Sequence, residues 1–308
     1  RVLFRDNKTD PRTSAALARE LITEHRVLAI IGPITSRARD AMMLQQTRYK
    51  TPLLYATNYE GRRCNRWLYS FNTVPYQELD GLVSALVPAR GRRVFLVGTD
   101  YRWPRESFRQ ASGLIKKAGG EVAGSEFIPF GSDELGAVAD RIRDSGADVV
   151  LTAMPGSDGV NLIRQLRSVG LKQIFGIGFL GLSEPYLEAF TGREGDDLMA
   201  IVPFADSLQT SPAAAFVAAA KAQSARDDFR VSHFVLSHYN ATMAIARALE
   251  KSRRLSRSGL ARGLRDLTFD TPTGSLTVSR KNRHVTMPMY LVRIANGDLS
   301  VLKSLGQV

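Results

Sequence analysis

The sequence contains little cysteine, little histidine and no long apolar run. Cys64 is the only cysteine in 308 residues, which excludes an internal disulfide framework and a zinc cluster built on cysteine thiolates. None of the four histidines has a partner at the i, i+4 spacing of a helical metal pair, since His233 and His238 stand five positions apart. No apolar stretch approaches the ~20 residues that span a bilayer, so we expect no membrane insertion. With 44% hydrophobic residues, the chain can bury the cores of two domains.

Acidic residues are scarce relative to basic ones. The 42 lysines and arginines against 30 acidic residues give a net charge of +12, which raises the question of a polyanionic partner. Small basic clusters are spread over residues 62–66, 90–93, 251–257 and 280–283. None of them is interleaved with aromatic residues for base stacking or lies in a recognisable nucleic-acid-binding motif. We therefore expect solvated basic faces and no nucleic acid partner.

Short apolar runs alternate with amphipathic stretches that end at glycines, which is the pattern of an α/β fold. Buried strands are predicted at residues 27–31, 52–56, 93–97, 147–153 and 173–179. Helices are predicted between most of them, and the first begins at Asp10-Pro11, where an N-cap residue precedes a proline at the first helical position. Repeated strand–helix–strand units imply right-handed crossovers and parallel sheets.

The C-terminal third has a different character. Long helices are predicted at residues 211–225 and 234–251, the second with an apolar stripe of Leu236, Tyr239, Met243 and Ala246. Strands are predicted at residues 274–278, 284–294 and 299–305, the last two joined by a hairpin turn at Asn296-Gly297. No composition shift marks a linker, so two domains would have to be joined by short crossings.

Two aromatic residues follow the predicted strand at residues 93–97. Tyr101 and Trp103 stand between that strand and a helix whose start is marked by Pro104. In open α/β sheets, ligands bind at the carboxyl ends of the strands. The two rings, with Asp100 beside them, are therefore candidate walls of a small-molecule pocket, although packing of the loop is an alternative role.

A glycine pattern typical of dinucleotide-binding enzymes occurs once. Gly176-Ile177-Gly178-Phe179-Leu180-Gly181 matches G-x-G-x-x-G after a strand. A dinucleotide site needs an acidic residue at the end of the next strand, whereas Asp196 and Asp197 precede that strand. The sequence also lacks a P-loop, a G-x-S-x-G elbow and a nucleophile–base constellation. We predict no enzyme activity and no cofactor, with an NAD-dependent oxidoreductase as a distant alternative.

Three motifs together resemble those of a known family. They are Gly98-Thr99-Asp100-Tyr101-x-Trp103-Pro104-Arg105-Glu106-Ser107, Tyr55-x-Thr57-x-Tyr59-Glu60-Gly61, and Phe269-Asp270-x-Pro272-x-Gly274 followed by His284. Their order and spacing resemble the amide- and urea-binding branch of the type I periplasmic binding proteins, relatives of the leucine/isoleucine/valine-binding proteins. Three agreeing motifs are more specific than one. The resemblance implies an α/β protein of two Rossmann-like lobes with parallel sheets, joined by three hinge crossings, that close over a small polar solute.

The family architecture implies where the lobes lie in this chain. Lobe one would comprise residues 1–73 and 205–271, and lobe two residues 74–204 and 272–308, with the ligand cleft between them. Family members begin with a strand and a helix that precede residues 2–5, so the first strand–helix unit of lobe one is expected to be absent. Without that strand we expect a less stable lobe and weaker ligand binding.

The family's ligand positions fall on three residues of lobe one, Ser36, Tyr55 and Thr57. The resemblance implies that the Ser36 hydroxyl, with helix N–H groups, binds a ligand oxygen, and Ser36 can also be a plain helix cap. A lone strand tyrosine such as Tyr55 is more often a core residue, but it matches the family together with Thr57. Ile34 departs from the aromatic residue that amide-binding relatives carry, so the pocket wall is altered.

In lobe two, Tyr101 and Trp103 match the family's aromatic pair, with Trp103 in the place of a tyrosine. The resemblance places the remaining wall in the turns after the next strands, at Ser157, Asp158 and Ser183. Ser183 can also serve only as the cap of a short helix.

Hydroxyls and aromatic rings favour a neutral ligand such as a short amide or urea over a free amino acid, although Asp100 or Asp158 could take an ammonium group.

The implied function is the substrate-binding component of an ABC transporter, in the periplasm, with the membrane permease as partner. The resemblance leaves open whether the protein forms a dimer. The alternative within the family is an amide-sensing regulator in the cytoplasm. In both, the ligand would shift an open–closed equilibrium that the partner senses.

Overall fold

The computed structural model describes residues 1–62, 65–169, 176–226 and 228–308. It divides into two compact units. Unit 1 comprises Arg1–Thr73 and Phe234–Pro288, and unit 2 comprises Val74–His233 and Met289–Val308. These units share with the predicted lobes the boundary after Thr73, whereas residues 205–233 lie in unit 2 and residues 272–288 in unit 1. The hinge positions themselves stay a prediction.

Helices and strands alternate along most of the chain. In chain order they are α1 (Pro11–Thr23), β1 (Ile30–Ile31), α2 (Ser36–Tyr49), β2 (Leu53–Tyr55), β3 (Leu68–Ser70), α3 (Pro75–Arg90), β4 (Arg93–Thr99), α4 (Arg102–Lys117), β5 (Glu121–Ile128), α5 (Leu135–Asp144), β6 (Val149–Ala153), α6 (Ser157–Ser168), β7 (Gly176–Phe179), α7 (Pro185–Ala189), β8 (Leu198–Val202), α8 (Ser211–Ala222), α9 (His233–Ser252), α10 (Arg257–Gly263), β9 (Thr268–Thr271), β10 (Gly274–Val278), β11 (Val285–Thr286), β12 (Pro288–Ala295) and β13 (Asp298–Gln307).

Unit 1 contains two small sheets. The first has the order β1-β2-β3 and is parallel throughout, so the strands end at one common edge. The second is antiparallel, with β10 between β9 and β11. A single bridge between Ser70 and His284 links the end of β3 to the turn before β11.

Unit 2 is built on a seven-stranded sheet of order β13-β12-β8-β7-β6-β4-β5. Strands β4 to β8 pair in parallel, as the strand–helix–strand pattern predicts, and β12 pairs with β8 in antiparallel orientation. The central strands β6, β7 and β8 are buried along their whole length. They form the core of an α/β layer whose carboxyl ends meet at one edge.

Local sequence signals explain two of these elements directly. Asp10 caps α1 by accepting the backbone N–H of Thr13 at 2.7 Å, and Pro11 occupies the first helical position. Asn296 and Gly297 have φ of 53° and 78°, the left-handed values of a type I′ turn, and they connect β12 to β13. The predicted helix start and the predicted hairpin are therefore both present.

Two C-terminal predictions are wrong in detail. The strand predicted at residues 284–294 is split at Met287 into β11 and β12, which belong to different sheets, because Pro288 begins a new strand. The stripe predicted on α9 is only partly its buried face: Leu236 is buried and Met243 half-buried, but Tyr239 is 42% exposed and Ala246 is exposed. The buried face also carries Ala241, Ala244 and Ala248, at intervals close to the helical repeat.

Other strands are shorter than predicted or only partly described. Of the run at residues 27–31, only Ile30–Ile31 pairs in a sheet. Residues 173–175 of the predicted strand at 173–179 lie outside the described residues. In the parts of the chain that the structure describes, no helix combines the length and the apolar character that a membrane crossing requires.

Two helical glycines allow a test of the packing of α10. A Cβ on Gly263 would lie 1.9 Å from the carbonyl oxygen of Ala248, so α10 and α9 approach each other at this glycine. We expect Gly263→Ala to lower the free energy of unfolding by about 2 kcal/mol or more, measured by urea denaturation. The control is Gly113→Ala in α4, where a Cβ meets nothing within 4 Å. That change should be neutral or stabilise by up to about 1 kcal/mol, and equal effects of the two variants would contradict the described contact.

Candidate functional site

The candidate site of unit 1 lies at the carboxyl edge of its parallel sheet. β1 ends at Ile31, and the following turn leads into α2, whose first helical residue is Ser36. The helix is capped by Thr35, which accepts the backbone N–H of Ala38, so Ser36 is not the cap. β2 ends at Tyr55, and Thr57 follows it. Parallel pairing of β1 with β2 brings these residues to one edge.

A buried ion pair anchors Ser36. The Ser36 hydroxyl donates to Glu60 Oε2 at 2.9 Å. The same carboxylate accepts two hydrogen bonds from Arg39, from Nη1 at 2.9 Å and from Nη2 at 2.5 Å. The side chains of Arg39 and Glu60 are 0% and 1% exposed. Such a fork-to-fork pair fixes the geometry of both partners, and through Glu60 it fixes the Ser36 hydroxyl.

Two aromatic rings complete this cluster. The Arg39 guanidinium carbon lies 5.1 Å from the ring centre of Tyr55 and 4.7 Å from that of Tyr59. Tyr59 in turn contacts the ring of His284 edge-on, with 5.4 Å between the ring centres. Burial raises the pKa of Tyr55 to about 12, so its hydroxyl is protonated at neutral pH. The arginine therefore contacts a neutral phenol through its π face.

All three predicted hydroxyls of unit 1 donate to groups of the protein. The hydroxyl of Tyr55 donates to the carbonyl of Ile34, and that of Thr57 donates to the same carbonyl at 3.2 Å. With Ser36 donating to Glu60, each of the three hydroxyls has a protein acceptor and keeps only lone pairs for a further hydrogen bond. All three residues are buried, since Ser36 is 2%, Tyr55 1% and Thr57 6% exposed. Ile34, whose carbonyl accepts from Tyr55 and Thr57, is 71% exposed.

The site of unit 2 begins with the aromatic pair predicted after β4. Tyr101 is the residue at the N-terminal boundary of α4, and Trp103 is a buried residue of its first turn. The centres of the two rings are 6.3 Å apart. A third ring, Phe130, follows β5 and lies 5.3 Å from Tyr101. Phe130 is 55% exposed and was not predicted as a site residue. Its signal in the sequence is an aromatic residue two positions after a strand of the same sheet.

The two aspartates considered for binding an ammonium group already have partners. Asp100 accepts a hydrogen bond from Arg105 Nε at 2.7 Å, and this hydrogen bond lowers the pKa of Asp100. Asp158 accepts the backbone N–H of Gly131 at 2.9 Å and so holds the loop that carries Phe130. Ser157, the first residue of α6, is exposed at this edge. Asp158 is thus a residue that positions a neighbouring loop.

Ser183 lies in the turn after β7 and is buried, and the residue at the boundary of α7 is Glu184. Glu184 Oε1 accepts the backbone N–H of Asp206 at 2.9 Å. Its other oxygen, Oε2, has no hydrogen-bond partner in the described parts of the chain. Burial raises the pKa of Glu184 to about 8. Glu184 was not among the predicted site residues, and a glutamate placed directly before a proline at a helix start was its signal.

The structure links most of these turns. Asp158 joins the turn of α6 to the loop of Phe130, and Phe130 joins that loop to Tyr101. The backbone N–H of Gly156 donates to the Tyr186 hydroxyl at 2.9 Å, which ties the α6 turn to α7. Within unit 1, Ser36, Tyr55 and Thr57 are also brought together, through Glu60 and the carbonyl of Ile34.

The glycine pattern at residues 176–181 has a packing explanation. Gly176 and Gly178 lie inside the buried strand β7 and not in a phosphate-binding turn. A Cβ on Gly178 would come within 2.5 Å of the Leu151 side chain and 2.9 Å of the Leu86 side chain. The glycines therefore allow α3 and β6 to approach β7 closely.

Solved structures define the class of protein to which this fold belongs. The solute-binding protein of an ABC transporter from Rhodopseudomonas palustris BisB5, in complex with 3,4-dihydroxybenzoic acid, matches with a TM-score of 0.89 and 18% identity over 100% of this chain and 86% of that chain. A solute-binding protein from R. palustris in complex with 4-hydroxybenzoate matches with a TM-score of 0.88 and 21% identity over 99% of this chain and 85% of that chain. The fold is that of the type I periplasmic binding proteins.

The chain belongs to the periplasmic binding protein family, whose model, described as "Periplasmic binding protein", matches residues 1–298. The leucine-, isoleucine-, valine-, threonine- and alanine-binding protein of Pseudomonas aeruginosa is 24% identical over 283 residues, which are 90% of this chain and 74% of that protein. The predicted relation to the leucine/isoleucine/valine-binding proteins is confirmed. Members of this family are solute-binding proteins of ABC transporters and not enzymes.

The ion pair that anchors Ser36 can be tested by removing one charge. Glu60→Gln removes the buried carboxylate that pairs with Arg39 and leaves the partly exposed Asp40, 3.0 Å from Arg39 Nη2, as the remaining counter-charge, so we expect the free energy of unfolding to fall by about 3 kcal/mol in urea denaturation. The control is Asp140→Asn, which removes an exposed partner of Arg143 and should cause no measurable change. A loss for Glu60→Gln no larger than for the control would show that the pair does not stabilise the unit.

Glu184 predicts a pH dependence of stability. Its pKa is about 8 in the folded chain against a usual value of 4.5, so folding takes up a proton between these values. The protonated Glu184 contributes stability that is fully present below pH 4.5. This contribution falls as the pH rises from 4.5 through 8, because the unfolded chain loses the proton first. The loss is on the order of 5 kcal/mol. We expect Glu184→Gln to remove this part of the pH dependence.

The quantity to measure is the difference in unfolding free energy between Glu184→Gln and the wild type at several pH values. Taking this difference removes the pH dependence that other groups contribute to both proteins. One such group is buried His233: burial lowers its pKa to about 3, so its contribution to stability falls as the pH drops below 6.5. Glu134→Gln, at an exposed position of the same unit, is the matched control. A difference that stays constant from pH 5 to 8.5 would contradict the prediction.

Proposed function

We propose that the chain is the substrate-binding component of an ABC transporter and binds a small polar solute through residues of both units. The observation that carries the proposal is the gathering of hydroxyls and aromatic rings at the carboxyl edge of the parallel strands in each unit. The proposed contacts are Ser36, Tyr55, Thr57, Tyr101, Trp103, Ser157, Asp158 and Ser183. Solute binding shifts the equilibrium between open and closed forms, and the membrane permease recognises the closed form in the periplasm.

A short amide, urea or an amino acid fits the polar part of this site. The hydroxyls of Ser36, Tyr55 and Thr57 offer hydrogen-bond acceptors, which suit the N–H groups of an amide or an ammonium group. With Asp100 and Asp158 engaged by protein groups, a neutral amide requires less rearrangement than a free amino acid. An amide-sensing regulator in the cytoplasm would use the same chemistry, and cell fractionation that places the mature chain in the periplasm would favour transport.

An aromatic acid is a second candidate, favoured by the rings of unit 2. Phe130, Tyr101 and Trp103 form a row with 5.3 Å and 6.3 Å between successive ring centres. Successive rings are tilted by 31° and 33°, and the exposed ring of Phe130 beside Tyr101 offers an apolar contact to a planar ring. Two proteins of similar fold carry 3,4-dihydroxybenzoic acid and 4-hydroxybenzoate in their solved structures. The two candidates differ in whether binding depends on Phe130.

Thermal unfolding of the purified chain against a panel of solutes tests the proposal. The panel contains acetamide, propionamide, urea, leucine, valine, benzoate, 4-hydroxybenzoate and NAD. A solute at about 100 times its Kd adds about 2.7 kcal/mol of stability and raises the midpoint. We expect one solute class to do so, and Tyr101→Ala to weaken its binding at least tenfold in calorimetric titration. No response to any solute, or a response to NAD alone, would overturn the proposal.

Phe130→Ala separates the two ligand classes. It should weaken binding of an aromatic acid about tenfold and leave binding of a short amide or urea nearly unchanged. Tyr239→Ala, at an exposed aromatic residue of unit 1, is the control for loss of a surface ring. Equal losses of affinity in Phe130→Ala and Tyr239→Ala would show that Phe130 does not contact the ligand.

A further inference from the structure

Unit 1 carries a basic pocket away from its candidate solute site. The pocket has a volume of about 530 Å³, and its lining includes Arg26, Lys50 and Arg257 with the rings of Tyr49 and Trp67. It lies beyond the C-terminal ends of α1 and α2 and before β3, at the amino edge of the parallel sheet. The hydroxyls assigned to solute binding stand at the opposite, carboxyl edge. The solute site therefore does not account for the pocket.

Arg257 is held in this pocket by backbone carbonyls. Its Nε donates to the carbonyl of Val27 at 2.9 Å, and its Nη2 donates to that of Ile22 at 2.8 Å. Its Nη1 lies 3.4 Å from the carbonyl of Tyr49. Burial lowers the pKa of Arg257, and no carboxylate pairs with it among the described residues. A guanidinium has five N–H donors, so this fixed group keeps two for a further acceptor.

Two further cations, Arg26 and Lys50, line the same pocket. Arg66 is not a lining residue, but its guanidinium lies 5.3 Å from the ring centre of Trp67, which is one. In the described ranges of the chain, none of these three side chains forms an ion pair, and no acidic side chain lines the pocket. Cations are favourable at helix C-termini, but Arg257 already caps the carbonyls there. Helix capping therefore does not explain the presence of Arg26, Lys50 and Arg66.

We infer that this pocket binds a phosphate group. Arg257 is half-buried, and Arg26 and Lys50 are exposed beside it. Because these charges have no carboxylate partner among the described residues, they repel one another, and an anion that bonds several of them at once relieves this repulsion. A phosphate carries close to two negative charges at neutral pH and has several acceptor oxygens, which matches a rigid guanidinium with two free donors beside a lysine and an arginine. The group is either free phosphate or the phosphate of an anionic lipid headgroup.

Calorimetric titration with inorganic phosphate, at an ionic strength held constant with sodium chloride, tests this inference. The variant Arg26→Gln/Lys50→Gln changes two exposed residues and leaves Arg257 in place. We expect saturable binding to the wild type and an affinity at least tenfold weaker in this variant. The matched control, Lys116→Gln/Lys117→Gln, removes two exposed cations at the C-terminal end of α4 in unit 2 and should bind phosphate like the wild type.

A second arm uses vesicles to distinguish the two sources of phosphate. Binding to phosphatidylglycerol vesicles but not to phosphatidylcholine vesicles, lost in Arg26→Gln/Lys50→Gln and kept in the control, would assign the pocket to a lipid phosphate. Binding of inorganic phosphate alone, with the same dependence on the variants, would assign it to a free anion. Equal behaviour of the two double variants, or no saturable binding in either arm, would overturn the inference. Circular dichroism melts verify that both variants are folded.

Discussion

Parallel strand pairing determines where chemical groups gather in this protein. Each crossover returns the chain to the amino edge of its sheet, so the carboxyl ends of the strands meet at the other edge. Ser36 and Tyr55 meet in unit 1 for this reason, and Tyr101 and Ser157 come to one edge in unit 2. The same constraint collects the C-terminal ends of α1 and α2 at the amino edge of unit 1, where Arg257 binds their carbonyls.

The buried pair of Arg39 and Glu60 shows how a polar site is made rigid. Burying two charges is costly, and attraction between them offsets the cost only when the remaining donors and acceptors are also satisfied. Here the carboxylate accepts three hydrogen bonds, one of them from Ser36, and the guanidinium also bonds Asp40 and contacts two aromatic rings. Most of these groups are therefore satisfied, with Arg39 Nε as the exception among the described residues. The result is a hydroxyl whose direction is set before any ligand arrives, which reduces the entropy lost on binding.

The sequence predicted most of the features that depend on local pattern. Buried strands, the cap at Asp10 and the turn at Asn296-Gly297 follow from residue types at fixed spacing, and the structure contains them. The approach of Tyr101 to Trp103 also follows, because two residues of one helical start are close by geometry alone. The motifs that resemble a known family added the order of the lobes and the candidate ligand residues, which periodicity does not contain.

Features that depend on tertiary contact were missed. Nothing in the segment around Phe130 indicates that its loop is held by Asp158 and brings a ring to Tyr101. The burial of Glu184 could not be predicted, because a buried carboxylate contradicts the usual burial preference of its residue type. The stripe on α9 is right at Leu236 but wrong at Tyr239 and Ala246, because alanines at 241, 244 and 248 form much of the buried face.

The division of unit 1 into two distant chain segments has a consequence for synthesis. Its core joins Arg1–Thr73 to Phe234–Pro288, and Arg257 bonds a carbonyl 235 positions away. The contacts that complete this core form only after residues 234–288 have been synthesised, whereas most of unit 2 is contiguous. Contacts of such long sequence separation form slowly. Residues 1–73 therefore wait for a distant segment, and the shortness of β1, β2 and β3 limits the strand surface exposed in the meantime.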